Sequence, residues 1–119
     1  MGDDRRAVGA AGEAAVAAWY EAAGFAVLER NWRVRDGEID LVCRLGPTIV
    51  FCEVKTRRSD AYGSPAEAVT PRKQARLRKL ALQWLTARGE RAEQLRFDVA
   101  SVRPDGRGAW IVDVLDGAF

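Results

Sequence analysis

The chain is expected to fold as an α/β protein, with a mixed five-stranded sheet flanked by helices in the order αβββαββ. Three observations predict this. An alanine-rich opening segment runs to Gly24; three β-patterned segments follow, separated only by short turns; and one further helical segment divides the third of these from two more. A length of 119 residues sets a single domain over 1–119. At this size folding buries roughly 65% of the unfolded surface, enough for a core without staples.

Residues 3–23 read as the first helix. Asp3 and Asp4 suit its N-terminus, alanine dominates, and Val8, Ala11, Ala15, Ala18, Trp19 and Ala22 form its apolar stripe. Gly24 closes it. Residues 25–34 read as a strand, Arg35-Asp36-Gly37 as a turn, and 38–44 as a second strand. Leu45-Gly46-Pro47-Thr48 is a four-residue loop, because proline is disfavoured at the second central position of a tighter turn. Residues 49–56 form the third strand and 57–65 a polar loop. The second helix extends from about Ser64 to Arg88, with Pro71 as an interruption or fresh start. Its core stripe is Leu77, Leu80, Ala81, Trp84 and Leu85. Residues 95–103 and 109–115 complete the sheet, joined through Pro104-Asp105-Gly106-Arg107-Gly108. The helical crossover makes the third and fourth strands parallel, and the short turns make the earlier ones antiparallel.

Composition removes several function classes. Histidine is absent, which excludes Ser-His-Asp hydrolysis, His-ligated zinc and histidine general bases from this chain. Two cysteines make neither a zinc site nor a disulfide framework. No apolar run approaches a membrane span, and the N-terminus lacks a hydrophobic signal segment, so the expected location is the cytoplasm. The net charge of +2 hides a division: residues 53–79 carry eight basic side chains against three acidic, while the flanking segments are slightly negative. Such a stretch suits a polyanion-binding surface, although on charge alone a solvated helix face is the plainer account.

The chemistry-bearing residues lie on the second and third strands. Alternation puts Glu38 and Asp40 on one face, with Glu53 and Lys55, and puts Ile39, Leu41, Cys43, Val50, Cys52 and Val54 on the other, apolar face. Cys43 and Cys52 are therefore small core residues. Either loop length sets Asp40 opposite Glu53 and Glu38 opposite Lys55. Facing carboxylates repel, and a divalent cation such as Mg2+ or Mn2+ resolves the conflict through hard oxygen ligands. Lys55 can aim its ammonium at a water or a phosphate oxygen. The rival account is a salt-bridge ladder of Asp, Glu and Lys with no ligand.

Asp40, twelve residues, then Glu53-Val54-Lys55 resembles the PD-(D/E)xK nuclease signature. More narrowly, the chain resembles the YraN-like (UPF0102) family of small bacterial proteins. The matching residues are Gly12-Glu13, Arg30-Asn31-Trp32, Gly37-Glu38-Ile39-Asp40-Leu41, Phe51-Cys52-Glu53-Val54-Lys55-Thr56-Arg57, Gly63-Ser64-Pro65, Lys73, Arg96-Phe97-Asp98-Val99 and Ala118-Phe119. The resemblance implies a restriction-endonuclease-like fold, similar to archaeal Holliday junction resolvases. It implies metal ligation by Asp40, Glu53 and the Val54 carbonyl, with Lys55 orienting or acidifying the attacking water. Glu13 matches the helical acid that completes such sites; its plainer role is a solvent-facing glutamate. Glu38 is either a supporting acid, a turn-fixing residue or a partner of Lys55. Lys73 and Gln74 face the site or simply make a polar helix surface, with even weight. Asp98 is expected to bond an arginine or backbone groups. Trp19 and Trp84 are expected in the core.

The leading expectation is a nucleic-acid-binding protein with Mg2+- or Mn2+-dependent endonuclease activity on phosphodiester bonds, on branched DNA if the resolvase likeness extends so far. Arg57, Arg58, Lys73 and Arg76 would hold backbone phosphates. The partner is nucleic acid, DNA foremost, with no membrane; a resolvase role favours a symmetric homodimer. The alternatives are a noncatalytic nucleic-acid-binding module on the same fold and a purely structural domain.

Overall fold

The computed structural model describes residues 2–57 and 69–119, with side chains from Val8 onward in the first segment. Arg58, Gly63-Ser64-Pro65, the 64–68 part of the expected second helix and the side chains of Asp3 and Asp4 lie outside what is described. The elements are α1 (Gly2–Ala22), β1 (Ala26–Val34), β2 (Gly37–Leu45), β3 (Thr48–Thr56), α2 (Pro71–Arg88), β4 (Gln94–Pro104) and β5 (Trp110–Leu115). They form one five-stranded mixed sheet in the order β1-β2-β3-β4-β5. Only β3 and β4, joined through α2, are parallel; the other neighbours are antiparallel.

Each face of the sheet buries its own apolar layer. On the α2 side Leu77, Leu80, Ala81 and Trp84 pack on Val42, Ile49, Phe51, Phe97 and Val99. Trp84 is 1% exposed and meets Phe51 edge-on, and its indole N–H donates to Glu29 Oε1 at 3.1 Å. Full burial of a side chain of this size contributes roughly 1.5–3 kcal/mol, and the hydrogen bond avoids an unpaired buried donor. On the α1 side Val16, Ala17 and Tyr20 cover Leu41, Cys43, Val50, Cys52, Ala100 and Val102.

α1 turns a different face inward from the stripe expected of it. Gly12, Val16, Ala17 and Tyr20 are buried, whereas Ala11, Ala18 and Ala22 are exposed and Trp19 is 40% exposed. An alanine-rich helix has weak periodicity, so two larger features choose the face. Gly12 sits against Thr56, where an added Cβ would fall 2.6 Å from Thr56 Oγ1. Tyr20 donates its hydroxyl to Asp98 Oδ2 at 2.5 Å. Asp98, fully buried, also receives Arg96 Nε and Nη2 at 2.9 Å each and the Gly117 N–H at 3.0 Å. One carboxylate thus ties α1, β4 and the C-terminal segment together, as the structural acid expected.

α2 starts at Pro71, which is the fresh start rather than an interruption: Val69 and Thr70 are non-helical, and Thr70 caps the helix by accepting the Lys73 N–H at 3.3 Å. Proline at the first turn lacks only an N–H that has no helical partner there. The β2–β3 loop is also shorter than expected. Leu45 pairs with Thr48, leaving Gly46-Pro47 as a two-residue turn. Gly46 takes the positive φ, +57°, and proline's fixed negative φ then suits the next position.

Candidate active site

The β2–β3 ladder runs from Leu45–Thr48 to Leu41–Cys52. One step further the same register would set Asp40 against Glu53. Here the Asp40 side chain takes over from the ladder: its Oδ2 accepts the Val54 N–H at 2.9 Å. Alternation in β2 breaks at the same point. Leu41 and Cys43 face α1 as expected, but Ile39 joins the α2 core with Val42. Across the ladder, Asn31 lies between the pairs Arg30–Leu41 and Trp32–Ile39 and has φ +50°, a conformation asparagine tolerates better than most residues. The irregular backbone on both strands turns Asp40 inward, leaving it 7% exposed.

Four carboxylates share this end of the sheet. Burial, then the charge of Glu53, pushes the Asp40 carboxyl up to about 7; Glu13 and Glu38 add to the rise and the Val54 N–H opposes it. Glu13 also holds its proton more tightly than usual, through burial first, with Glu38 and Glu53 adding and a hydrogen bond from Asn31 opposing. Gly12 brings Glu13 here, because the close approach to Thr56 seats α1 over the end of β3. Lys55 Nζ lies 3.3 Å from Glu53 Oε1. The expected cross-strand partner Glu38 instead pairs with Arg33, its ladder neighbour, at 3.0 Å. Lys55 and Glu53 are two residues apart on one strand face, so their contact needs no partner strand; Arg33 reaches Glu38 first.

A cleft of about 200 Å3 lies on the α2 side, lined by Gly37, Glu38, Glu53, Lys73, Arg76, Leu77 and Leu80. Gly37 has φ +145°, and a Cβ there would lie 3.2 Å from Leu80, so glycine lets the β1–β2 turn pass close under the helix. α2 contains no acidic residue. Two of its cations are engaged: Arg88 with Glu29, and Arg78 over the rings of Phe97 and Phe119. Lys73 and Arg76 are exposed and line the cleft, and Arg72, Arg76 and Lys79 line a shallow groove beside it with Asp36. Gln74 turns its amide to the Val69 carbonyl at 3.2 Å. Arg57 directly follows β3, and its N–H donates to Val102 O at 2.7 Å. Arg58 lies outside the described residues.

Sequence reasoning missed Asn31 as an electrostatic partner and Arg33 altogether. Asn31 offered no local signal, since its role depends on a positive φ; Arg33 could have been found from its place opposite Glu38 across the β1–β2 turn. Both cysteines are buried and free, and burial raises both thiols, that of Cys43 to about 12. They carry no reactive thiolate.

Asp40 and Glu53 offer hard carboxylate oxygens of the kind a divalent cation takes, in a partly desolvated place where like charges crowd. Among the described residues no three carboxylate or thiol groups converge as a ready metal centre, and no helix is long and apolar enough to cross a membrane.

Fold and site define a small α/β protein in which acids at the junction of two strands meet a basic helix. The sequence profile of the uncharacterised protein family UPF0102 matches residues 12–102. The chain is 52% identical over 111 residues to a UPF0102 protein of Beutenbergia cavernae, covering 93% of this chain and 94% of that one. It is 48% identical over 112 residues to a UPF0102 protein of Parafrankia sp., covering 94% and 95%. A UPF0102 protein of Rhodococcus jostii is 50% identical over 96 residues, 81% of each chain. The chain belongs to the UPF0102 family.

Proposed function

We propose that the protein binds nucleic acid, DNA foremost, and hydrolyses internal phosphodiester bonds with the help of Mg2+ or Mn2+. The observation that carries this reading is the cleft in which Glu38 and Glu53 face Lys73 and Arg76, with Asp40 and Lys55 at its strand junction. Carboxylates alone would repel a phosphodiester, and cations alone would only bind it. The PD-(D/E)xK likeness of Asp40 and Glu53-Val54-Lys55 supports the same conclusion.

Asp40, Glu53 and the Val54 carbonyl would hold the cation. When bound, it would supply charge neutralisation and acidification of water. Lys55 stands beside Glu53 and would place its ammonium where negative charge develops on the phosphate. Lys73 and Arg76 would fix the backbone by phosphate contacts, which give affinity and register more than base specificity. Glu13 and Glu38 would set the field around Asp40.

A second reading is a noncatalytic binding module. The exposed cations of α2 favour it, because phosphate binding needs them alone and no metal. One experiment separates the two. Linear, flapped and four-way junction DNAs are incubated with Mg2+, Mn2+ or chelator. Metal-dependent cuts abolished by Asp40→Asn support the nuclease; salt-sensitive binding without cuts supports the module; neither result leaves a structural domain.

A further inference from the structure

The carboxylates are flanked on both sides of the sheet. Besides the α2-side cleft, a groove of about 460 Å3 lies on the α1 side, lined by Gly9, Ala10, Glu13, Asn31 and Arg33. The Arg33–Glu38 pair stands at the divide, because Glu38 lines the cleft and Arg33 the groove. A phosphodiester strand near these acids needs cations on each side of the bond to be cut. On the α2 side Lys73 and Arg76 supply them. Among the described residues that line the α1 groove, Arg33 is the cation.

Its geometry suits the task. Glu38 Oε2 accepts from Arg33 Nε at 3.0 Å, so this pair engages the inner nitrogen and leaves the terminal fork, the part that grips phosphate oxygens in pairs. The side chain is 76% exposed. An ion pair so exposed adds little to stability, so it exchanges partners at low cost. Arg33 also lies within the field of the cluster, since its charge acts on Glu13.

We infer that Arg33 is a positioning residue that exchanges Glu38 for a backbone phosphate on the α1 side of the reacting bond, so that one nucleic-acid strand crosses from the α2 cleft into the α1 groove. This rests on the nucleic-acid reading above and adds to it the path of the strand, past the Arg33–Glu38 pair from one face of the sheet to the other.

The test is fluorescence anisotropy with a labelled DNA duplex and the matching single strand, over a range of salt concentrations. Arg33→Gln should reduce the slope of log affinity against log salt by about 0.7–0.9, one phosphate contact, and weaken binding about tenfold or more. Arg33→Lys should restore the slope. Glu38→Gln should tighten binding by freeing Arg33, and that gain should vanish in the double variant. A mere surface ion pair would leave the slope unchanged in Arg33→Gln, and any gain from Glu38→Gln would persist in the double variant. Thermal melts of Arg33→Gln should match wild type. If Lys73→Ala and Arg76→Ala lower the slope while Arg33→Gln leaves it unchanged, the Arg33 assignment fails and the nucleic-acid reading stands. If wild type shows no salt-dependent binding to either probe, that reading fails and takes this one with it.

Discussion

The Asp40 carboxylate accepts the Val54 backbone N–H at 2.9 Å, standing in for a strand partner where the β2–β3 ladder ends. A buried N–H needs an acceptor, and here a side chain provides it. The bond fixes an acid of β2 against the backbone of β3, one residue from Glu53 and one from Lys55. It also carries an electrostatic cost, since Asp40 is desolvated beside Glu53, Glu13 and Glu38.

That cost predicts a pH dependence. The Asp40 carboxyl sits at about 7 in the folded chain, against 3.8 ordinarily. Between these values the folded chain holds a proton that the unfolded chain has released. Stability therefore falls as pH rises through this window and levels off above it. Asp40→Asn keeps an oxygen for the Val54 N–H and removes the charge. The variant should be more stable than wild type near pH 8, by on the order of a few kcal/mol, and the difference should shrink toward pH 4. Denaturant melts across this range measure it; parallel pH profiles for the two proteins would contradict the site's electrostatics.

Lys55 should matter to cleavage more than to folding. Its ammonium is 3.3 Å from Glu53 Oε1, with side chains 29% and 18% exposed. In such a mostly buried pair desolvation offsets much of the Coulomb attraction, so its net contribution to stability is small, on the order of 1 kcal/mol. In the nuclease reading Lys55 contacts charge that develops only in the transition state, so Lys55→Ala should lose about 10²–10³-fold in kcat. Lys55→Arg should recover part of that, because the guanidinium is broader. Cleavage rates and melting temperature, taken together on the substrate that wild type cuts, check this. Wild-type turnover by Lys55→Ala would remove the proposed role, and an unfolded variant would favour a salt-bridge role.

The scaffold has its own weak point at Asp98. This carboxylate is fully buried and satisfies Arg96, Tyr20 and the Gly117 N–H. Asp98→Ala leaves a guanidinium, a phenol and a backbone N–H without their acceptor. The expected loss is about 3–5 kcal/mol, the range for breaking a buried pair from one side. Chemical denaturation measures it. A loss below about 1 kcal/mol, the scale of an exposed ion pair, would mean that water replaces the carboxylate.

Much of this was legible in the sequence because the signals were local and redundant. Strand alternation and two short turns located β1, β2 and β3, and the Leu77, Leu80, Ala81, Trp84 stripe located the inner face of α2. The register that points Asp40 toward Glu53 follows from the turn and runs as far as Leu41–Cys52, where the ladder ends, even though the loop is Gly46-Pro47 alone. What escaped depended on tertiary contacts. The inner face of α1 is not legible because alanines weigh alike, and Gly12 and Tyr20 declare themselves only against Thr56 and Asp98. Ile39 changed sides because backbone irregularity at Asn31 and Asp40 overrides the two-residue period. The Glu53–Lys55 and Arg33–Glu38 pairings are choices among charges within reach of one another, which spacing alone does not rank.

Gly12 links the scaffold to the site, and its role can be isolated. A Cβ at position 12 would lie 2.6 Å from Thr56 Oγ1 and 3.2 Å from Thr56 Cγ2. Both branches of the threonine are in the way, so a rotation that turns its hydrogen toward position 12 relieves one contact and leaves the other place filled. Either α1 lifts from β3 or the end of β3 shifts. Elsewhere in a helix, glycine to alanine is stabilising by about 1 kcal/mol through backbone entropy. Here overpacking of about 1–3 kcal/mol opposes that gain. Gly12→Ala should therefore be neutral to destabilising in the wild-type background and stabilising by about 1 kcal/mol when Thr56→Ala makes room. A double-mutant cycle by chemical denaturation reads the coupling directly. The same lift would carry Glu13 away from Asn31 and out of its partly buried place. Because burial is the first cause of its raised carboxyl, Glu13 should titrate lower in Gly12→Ala and return toward its wild-type value in the double variant, as followed by NMR of the side-chain carboxyl. If Gly12→Ala stabilises the protein equally with and without Thr56, the close approach does not seat the helix, and Glu13 owes its position to Asn31 instead.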